Sequence, residues 1–257
     1  MLSPKYLSTA GGRIAYHQHI STHNPHLPGI IFLGGFMSDM GGTKAMALQE
    51  FCEKNDYSYL RFDYFGHGQS DLTFTDGTIS LWKQNAVDVI DQLTQGPQLL
   101  IGSSMGGWIM LLAALARAER VAGLIGIASA PDFTRGLIWD LLDAATQQIL
   151  RIKGIYSLES EYGDAPYPIT YQLIEDGDRH MLLHQEIPIH CPVRLLHGMQ
   201  DRDVPHTLSL KLVEQLKSDD AQVTLIKNAD HRMSTAKNIQ LLCERLEEML
   251  AICSKKD

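Results

Sequence analysis

The run Gln98-Leu99-Leu100-Ile101 leads directly into Gly102-Ser103-Ser104-Met105-Gly106, and a helix-patterned apolar stretch over Met105 to Arg117 follows it. G-x-S-x-G between a strand and a helix describes a cramped turn that lifts a serine hydroxyl above a sheet. That turn requires a strand that feeds a helix on its own carboxyl end, so the chain has to build an open α/β sheet. Ser104 is thereby the candidate nucleophile.

The flanking sequence keeps the same rhythm. Lys5 to Ala10 and Arg13 to Ile20, joined by Gly11-Gly12, predict an opening hairpin. Strands are then predicted at Ile30 to Leu33, Tyr57 to Phe62, Gln98 to Ile101, Val121 to Ala128, Val193 to Leu196 and Gln222 to Ile226. Helices alternate with them at Thr43 to Lys54, Ser80 to Leu93, Met105 to Arg117, Pro205 to Lys217 and Ser234 to Ala251. The expected architecture is α/β, with a mostly parallel eight-stranded sheet flanked by helices.

Between Pro131 and Pro192 the alternation stops. Gly136 to Leu150 has helical spacing, with Leu137, Leu141, Ala144 and Gln148 on one row, and the irregular remainder is too broken for a framework element. The division predicted is a core of residues 1–131 and 190–257 with an inserted lid at 132–189. In the lid, Phe133, Leu137, Trp139, Leu141 and Tyr156 are the candidate lining of an apolar substrate site.

Composition removes other classes. With 257 residues and 44% hydrophobic content the chain can bury a large core, and a net charge of −8 repels nucleic acid and anionic membrane surfaces. Cys52, Cys191, Cys243 and Cys253 form no CxxC pair and read as reduced thiols. No apolar run reaches membrane-spanning length, and the first residues resemble neither a signal nor a transit peptide, so a cytoplasmic address and no stable membrane insertion are expected. A monomer is expected.

A serine hydroxyl needs a base held by an acid, and in this type of sheet they follow in the order Ser, Asp, His. Leu195-Leu196-His197-Gly198-Met199-Gln200-Asp201 places Asp201 just past one strand, and Asn228-Ala229-Asp230-His231 places His231 just past the next. Asp203 competes for the acid role but reads better as a charge at a helix start, and Asp230 as a turn former. The oxyanion donors predicted are the backbone N–H groups of Met105 and Phe36, the latter in the loop opened by Gly34-Gly35, with Met37 as its neighbouring alternative.

Other chemistry lacks its residues. His17 and His19 alternate along a strand without a third ligand at a recognised spacing, and read as a solvated face. Gly66 and Gly68 lack the third glycine of a dinucleotide turn, and there is no GxxxxGK, HExxH or EF-hand loop. No cofactor and no metal are expected.

Taken together, GGF at 34–36, RFDYFGHGQSD at 61–71, GSSMGGW at 102–108, HGMQDRDVP at 197–205 and DHRMS at 230–234 resemble the α/β-hydrolase fold family through nearly the whole chain. GTKA at 42–45, GPQLLIGSSMGGWIML at 96–111 and CPVRLLHGMQD at 191–201 are similar to a subgroup of depalmitoylating acyl-protein thioesterases that also hydrolyse acyl glucuronides. The resemblance implies a serine hydrolase that cleaves esters or thioesters through an acyl-enzyme, with Ser104, Asp201 and His231 as its triad. A small-molecule or acyl-protein substrate is implied. Cofactor-free perhydrolysis, peptidase activity, or a non-catalytic binding use of the fold are the alternatives.

Overall fold

The structure is a computed structural model that describes residues 3–158 and 166–254. Its framework is an eight-stranded sheet in the order β1-β2-β4-β3-β5-β6-β9-β10. The strands are β1 (Lys5–Thr9), β2 (Gly12–His19), β3 (Gly29–Leu33), β4 (Tyr59–Phe62), β5 (Gln98–Ser103), β6 (Val121–Ile127), β9 (Val193–Gly198) and β10 (Ala221–Ile226). From β4 to β10 every neighbouring pair is parallel, and the hairpin β1-β2 adds antiparallel strands along one edge.

Period-two alternation decides what each face meets. Ile31 and Leu33 of β3 join Leu100, Leu124 and Leu195 on the face that packs Trp82 of α2 (Ile79–Leu93) and Trp108 of α3 (Met105–Ala116). Ile30 and Phe32 join Leu99, Ile101, Ile125 and Leu196 on the other face. There they meet Leu48 of α1 (Thr43–Lys54) and Leu242, Leu246 and Met249 of α7 (Ala236–Cys253). Strands β4, β5 and β9 are buried at every position, Arg61 of β4 and Arg194 of β9 included, so they read as mostly apolar with no polar face.

Residues between β6 and β9 form a separate layer. It holds α4 (Ala144–Lys153), the antiparallel pair β7 (Ile155–Leu158) and β8 (Tyr167–Thr170), and α5 (Tyr171–Asp178), around a small core of Trp139, Leu150, Ile169 and Ile174. The expected continuous helix from Gly136 to Leu150 does not form. A π turn spans Thr134–Ile138, a 3-10 turn Trp139–Leu141, and α4 starts only after Asp143, whose extended backbone and carboxylate cap the Thr146 N–H. The Leu137/Leu141/Ala144/Gln148 row is therefore broken, and Leu141 is 73% exposed. The β7-β8 pair and α5 also lie where only irregular chain is expected from sequence.

Two carboxylates hold this layer together and in place, one within it and one against α2. Asp132, at φ 60°, accepts the N–H groups of Leu182 (2.8 Å) and Leu183 (2.9 Å). Asp176 of α5 accepts Ser80 N–H (2.7 Å) and Ser80 O–H (2.8 Å) at the amino end of α2, where a helix favours negative charge. After β9 the remaining helix, α6 (Thr207–Gln215), begins two residues later than Pro205. Asp203 therefore lies ahead of its first turn, not in it.

His17 and His19 are half-buried instead of solvated, because β2 is an interior strand that pairs with β4. His19 Nε2 lies 3.3 Å from Asp56 Oδ1.

Candidate active site

Ser104 sits between β5 and α3 at φ 55° and ψ −120°, a backbone conformation that costs free energy unless its surroundings fix it. They do so with bonds and with missing side chains. Ser104 N–H donates to Ile127 O at 2.9 Å, and its own carbonyl accepts Gly107 N–H (2.9 Å) and Ala130 N–H (3.1 Å). A Cβ at Gly106 would collide with the carbonyl oxygens of Leu33 and Gly34, and one at Gly102 with that of Gly106. Glycine at 102 and 106 is what lets β3, β5 and α3 meet under the serine.

The loops after β9 and β10 bring the other two expected residues to it. Ser104 O–H donates to His231 Nε2 at 3.1 Å, and His231 Nδ1–H donates to Asp201 Oδ2 at 2.8 Å. Since β9 and β10 pair in parallel, their carboxyl ends lie side by side, one strand spacing apart. Lys44 of α1 steadies the histidine loop by donating to Arg232 O at 2.5 Å, and Asp230 Oδ1 accepts Met233 N–H at 3.0 Å, the turn-forming role expected of it.

Asp201 has a fully buried side chain. Oδ1 accepts Asp203 N–H (3.0 Å) and Val204 N–H (2.8 Å), while Oδ2 takes His231 and also His197 Nε2–H at 3.1 Å. Burial alone would push this carboxyl up. The hydrogen bonds from His197, His231 and Val204, with the nearby His231 charge, outweigh it and hold the group well below the usual carboxylate range.

Asp203 gives its N–H to Asp201, and its Oδ2 is buried without a hydrogen-bond partner among the described residues. Asp201, Asp203 and His231 are the one group of described residues offering three possible metal-ligand atoms, within 4.8 Å of one another. Two of the three are already hydrogen-bonded to each other.

Of the two expected oxyanion donors, Phe36 lies in the loop after β3 and Met105 is the first residue of α3. Gly35 passes so close that a Cβ there would stand 3.5 Å from Ser104 Cβ. Met37, at φ 53°, gives its N–H to His67 Nε2 at 3.2 Å and so is engaged elsewhere. The N–H groups of Phe36 and Met105 have no acceptor among the described residues. His67 is buried in a cage of Tyr64, Phe74 and Trp82 with Nδ1 3.2 Å from Phe65 O, and burial pushes its pKa down. It is neutral, with its proton on Nδ1, and accepts at Nε2.

The proposed lining residues divide. Phe133 stacks edge-on against Phe36 (5.5 Å) and Trp108 (5.7 Å), and Leu137 packs beside this cluster. Trp139 and Tyr156 belong to the insertion's own small core. Leu141 faces solvent, and its expected lining role falls with the helix that would have oriented it. Tyr167, 6.2 Å from the Phe36 ring, is a neighbour that sequence reasoning misses, as are His67 and His197. The available signal is a histidine inside an apolar strand, Val193-Arg194-Leu195-Leu196-His197, and one between two glycines at 66 and 68.

A model of the "Alpha/beta hydrolase family" matches residues 30–238, a span holding all of these groups. The chain belongs to the alpha/beta hydrolase family. As a member it is a hydrolase of ester or thioester bonds. "Palmitoyl-protein thioesterase ABHD10, mitochondrial" of Bos taurus is 42% identical over 226 residues, 87% of this chain and 73% of that protein. The Homo sapiens protein of the same name is 42% identical over 224 residues, with the same coverage of each.

Among solved structures, alpha/beta hydrolase domain-containing protein 10 from mouse superposes with a TM-score of 0.88 at 39% identity, over 97% of this hydrolase and 99% of that chain. A putative hydrolase from Agrobacterium vitis gives 0.91 at 37%, over 96% and 97%. The resemblance drawn from the motifs is borne out. The cytoplasmic expectation is not: the ABHD10 relatives from cattle, orangutan, human, mouse and rat all carry mitochondrial names, which overturns an address inferred from the first residues alone. No helix among the described residues is long and apolar enough to cross a membrane.

Proposed function

We propose that this hydrolase cleaves acyl thioesters, palmitoyl thioesters of proteins foremost, through an acyl-enzyme on Ser104. The observation that carries the reading is the continuous hydrogen-bond line from Ser104 Oγ through His231 to Asp201, at 3.1 and 2.8 Å. The thioester preference rests on the likeness to the palmitoyl-protein thioesterases.

In this mechanism His231 Nε2 takes the Ser104 proton as Oγ attacks the carbonyl carbon. Asp201 keeps the imidazole's Nδ1–H in place and stabilises the imidazolium that forms. The N–H groups of Phe36 and Met105 receive the developing oxyanion, a role suited to amides without other partners. Collapse of the tetrahedral intermediate expels the thiolate, whose reference pKa of about 8.5 lets it leave with little help, and the His231 imidazolium gives its proton to the departing sulfur and is neutral again. His231 then deprotonates water, which attacks the acyl-enzyme, and returns the proton to Ser104.

Residues 132–189 act in this reading as a lid whose Phe133 and Tyr167 cover the Phe36 loop and bound the acyl-chain site. The chain works as a monomer.

The test is a panel of acyl thioesters and p-nitrophenyl esters from C4 to C16, with Ser104→Ala alongside. We expect kcat/KM to rise with chain length, thioesters to exceed esters of equal length, and the variant to lose at least about a thousandfold. Full activity in Ser104→Ala would overturn the mechanism, and a flat chain-length profile would overturn the long-chain substrate.

A further inference from the structure

His197 is wholly buried at the end of β9 and points at the same carboxylate oxygen that His231 uses. Its Nε2 is 3.1 Å from Asp201 Oδ2 and 3.0 Å from Val204 O. Both neighbours are acceptors, so Nε2 has to carry a proton. On the other side Nδ1 is 2.7 Å from Ser209 Oγ, on the buried inner face of α6. Ser209 Oγ has no other hydrogen-bond partner among the described residues, so its O–H donates to Nδ1. That fixes His197 as the neutral Nε2–H tautomer.

The consequence is a line of five side chains, Ser209, His197, Asp201, His231 and Ser104, in which one carboxylate oxygen serves two imidazoles. Asp201 Oδ1 is filled by two backbone N–H groups, so the carboxylate plane is set from that side. The donor from His197 fills one site on Oδ2 and leaves the other toward His231. It also withdraws electron density from the oxygen against which the His231 imidazolium forms.

We propose that His197, held in one tautomer by Ser209, is a positioning residue that aims Asp201 at His231 and limits how strongly that carboxylate stabilises the His231 imidazolium. The proposal rests on the Ser104-His231-Asp201 reading. Without the His197 donor, Asp201 turns its full charge on His231 and the imidazolium is favoured, so the acid limb of kcat/KM moves to higher pH. Among the described residues, the other ionisable groups around His231 are Asp203 beside Asp201, its neighbours Asp230 and Arg232, and Lys44 from α1, and none of them is altered in the test.

The experiment pairs kinetics with NMR on the intact protein. Ring ¹⁵N spectra of the wild type should show His197 protonated at Nε2 and bare at Nδ1. A proton on Nδ1 overturns the proposal even where no variant folds. In His197→Leu, with rates normalised to the sites labelled by a fluorophosphonate probe, the acid limb should rise by about half to one pH unit and kcat should fall about tenfold. His197→Gln, which can return a donor near Nε2, should recover most of both. A purely structural histidine would change the labelled fraction and leave the pH profile in place, and that result, or Gln no better than Leu, overturns the proposal. Failure of wild-type labelling at Ser104 would instead strike the triad reading and leave the His197 tautomer as it is.

Discussion

Met37 donates its backbone N–H to Nε2 of His67, 3.2 Å away, which leaves Phe36 N–H as the proposed oxyanion donor of the loop after β3. A neutral, caged imidazole chooses between two adjacent candidate donors. Replacing His67 by Phe should free that loop. We expect kcat on a short ester to fall about ten- to hundredfold with KM nearly unchanged, read by steady-state kinetics. A comparable rise in KM instead would mean that His67 serves the substrate cleft.

His67 also carries a pH signature. Burial depresses its folded pKa, so between the unfolded value near 6.5 and the folded one the unfolded chain binds more protons, and stability is lost as pH falls through that window. Asp63 and Asp132, raised mainly by burial, act with the opposite sign at lower pH. Comparing wild type with His67→Phe cancels them. The Tm of the wild type should drop more than that of the variant between about pH 7 and 5, as measured by calorimetry.

Gly106 has no room for a methyl group between α3 and the carbonyl oxygens of Leu33 and Gly34. Gly106→Ala should cost about 3 kcal/mol or more and remove most soluble protein. Gly136→Ala, where nothing lies within 4 Å of the position an added methyl would take, should leave Tm within a few degrees. Thermal melts of the two variants side by side provide the check.

Asp132 joins the start of the insertion to its end through two amides. Asp132→Ala loses both acceptors and places alanine at φ 60°, while Asp132→Asn keeps one acceptor and a side chain that tolerates that backbone. Amide exchange at Leu182 and Leu183 should speed up by about ten- to hundredfold in the alanine variant and less in the asparagine one. Unchanged exchange would show that other contacts hold the insertion.

Much of this molecule is legible in its sequence because burial on both faces of a parallel sheet writes itself as apolar runs. β3, β5 and β6 are such runs, β9 is one interrupted by Arg194 and His197, and the eight-stranded sheet follows from their alternation with helices. Ser104, Asp201 and His231 stand out because each lies in the turn or loop that follows a strand. The insertion is less legible. Its apolar residues have helical spacing from Gly136 onward, yet Asp143 caps a later helix and competes successfully with that pattern. His67 and His197 are hidden for another reason: their partners, Met37 and Ser209, lie 30 and 12 residues away, and no local period records such pairs.

Everything proposed for this site depends on Ser104 being the nucleophile, and intact mass spectrometry after treatment with a fluorophosphonate addresses that without any assumption about the substrate. One phosphonyl adduct per chain is expected, mapped to the peptide containing Ser104 and absent from Ser104→Ala. An adduct that persists in that variant, or none on the wild type, would show that the nucleophile is not Ser104.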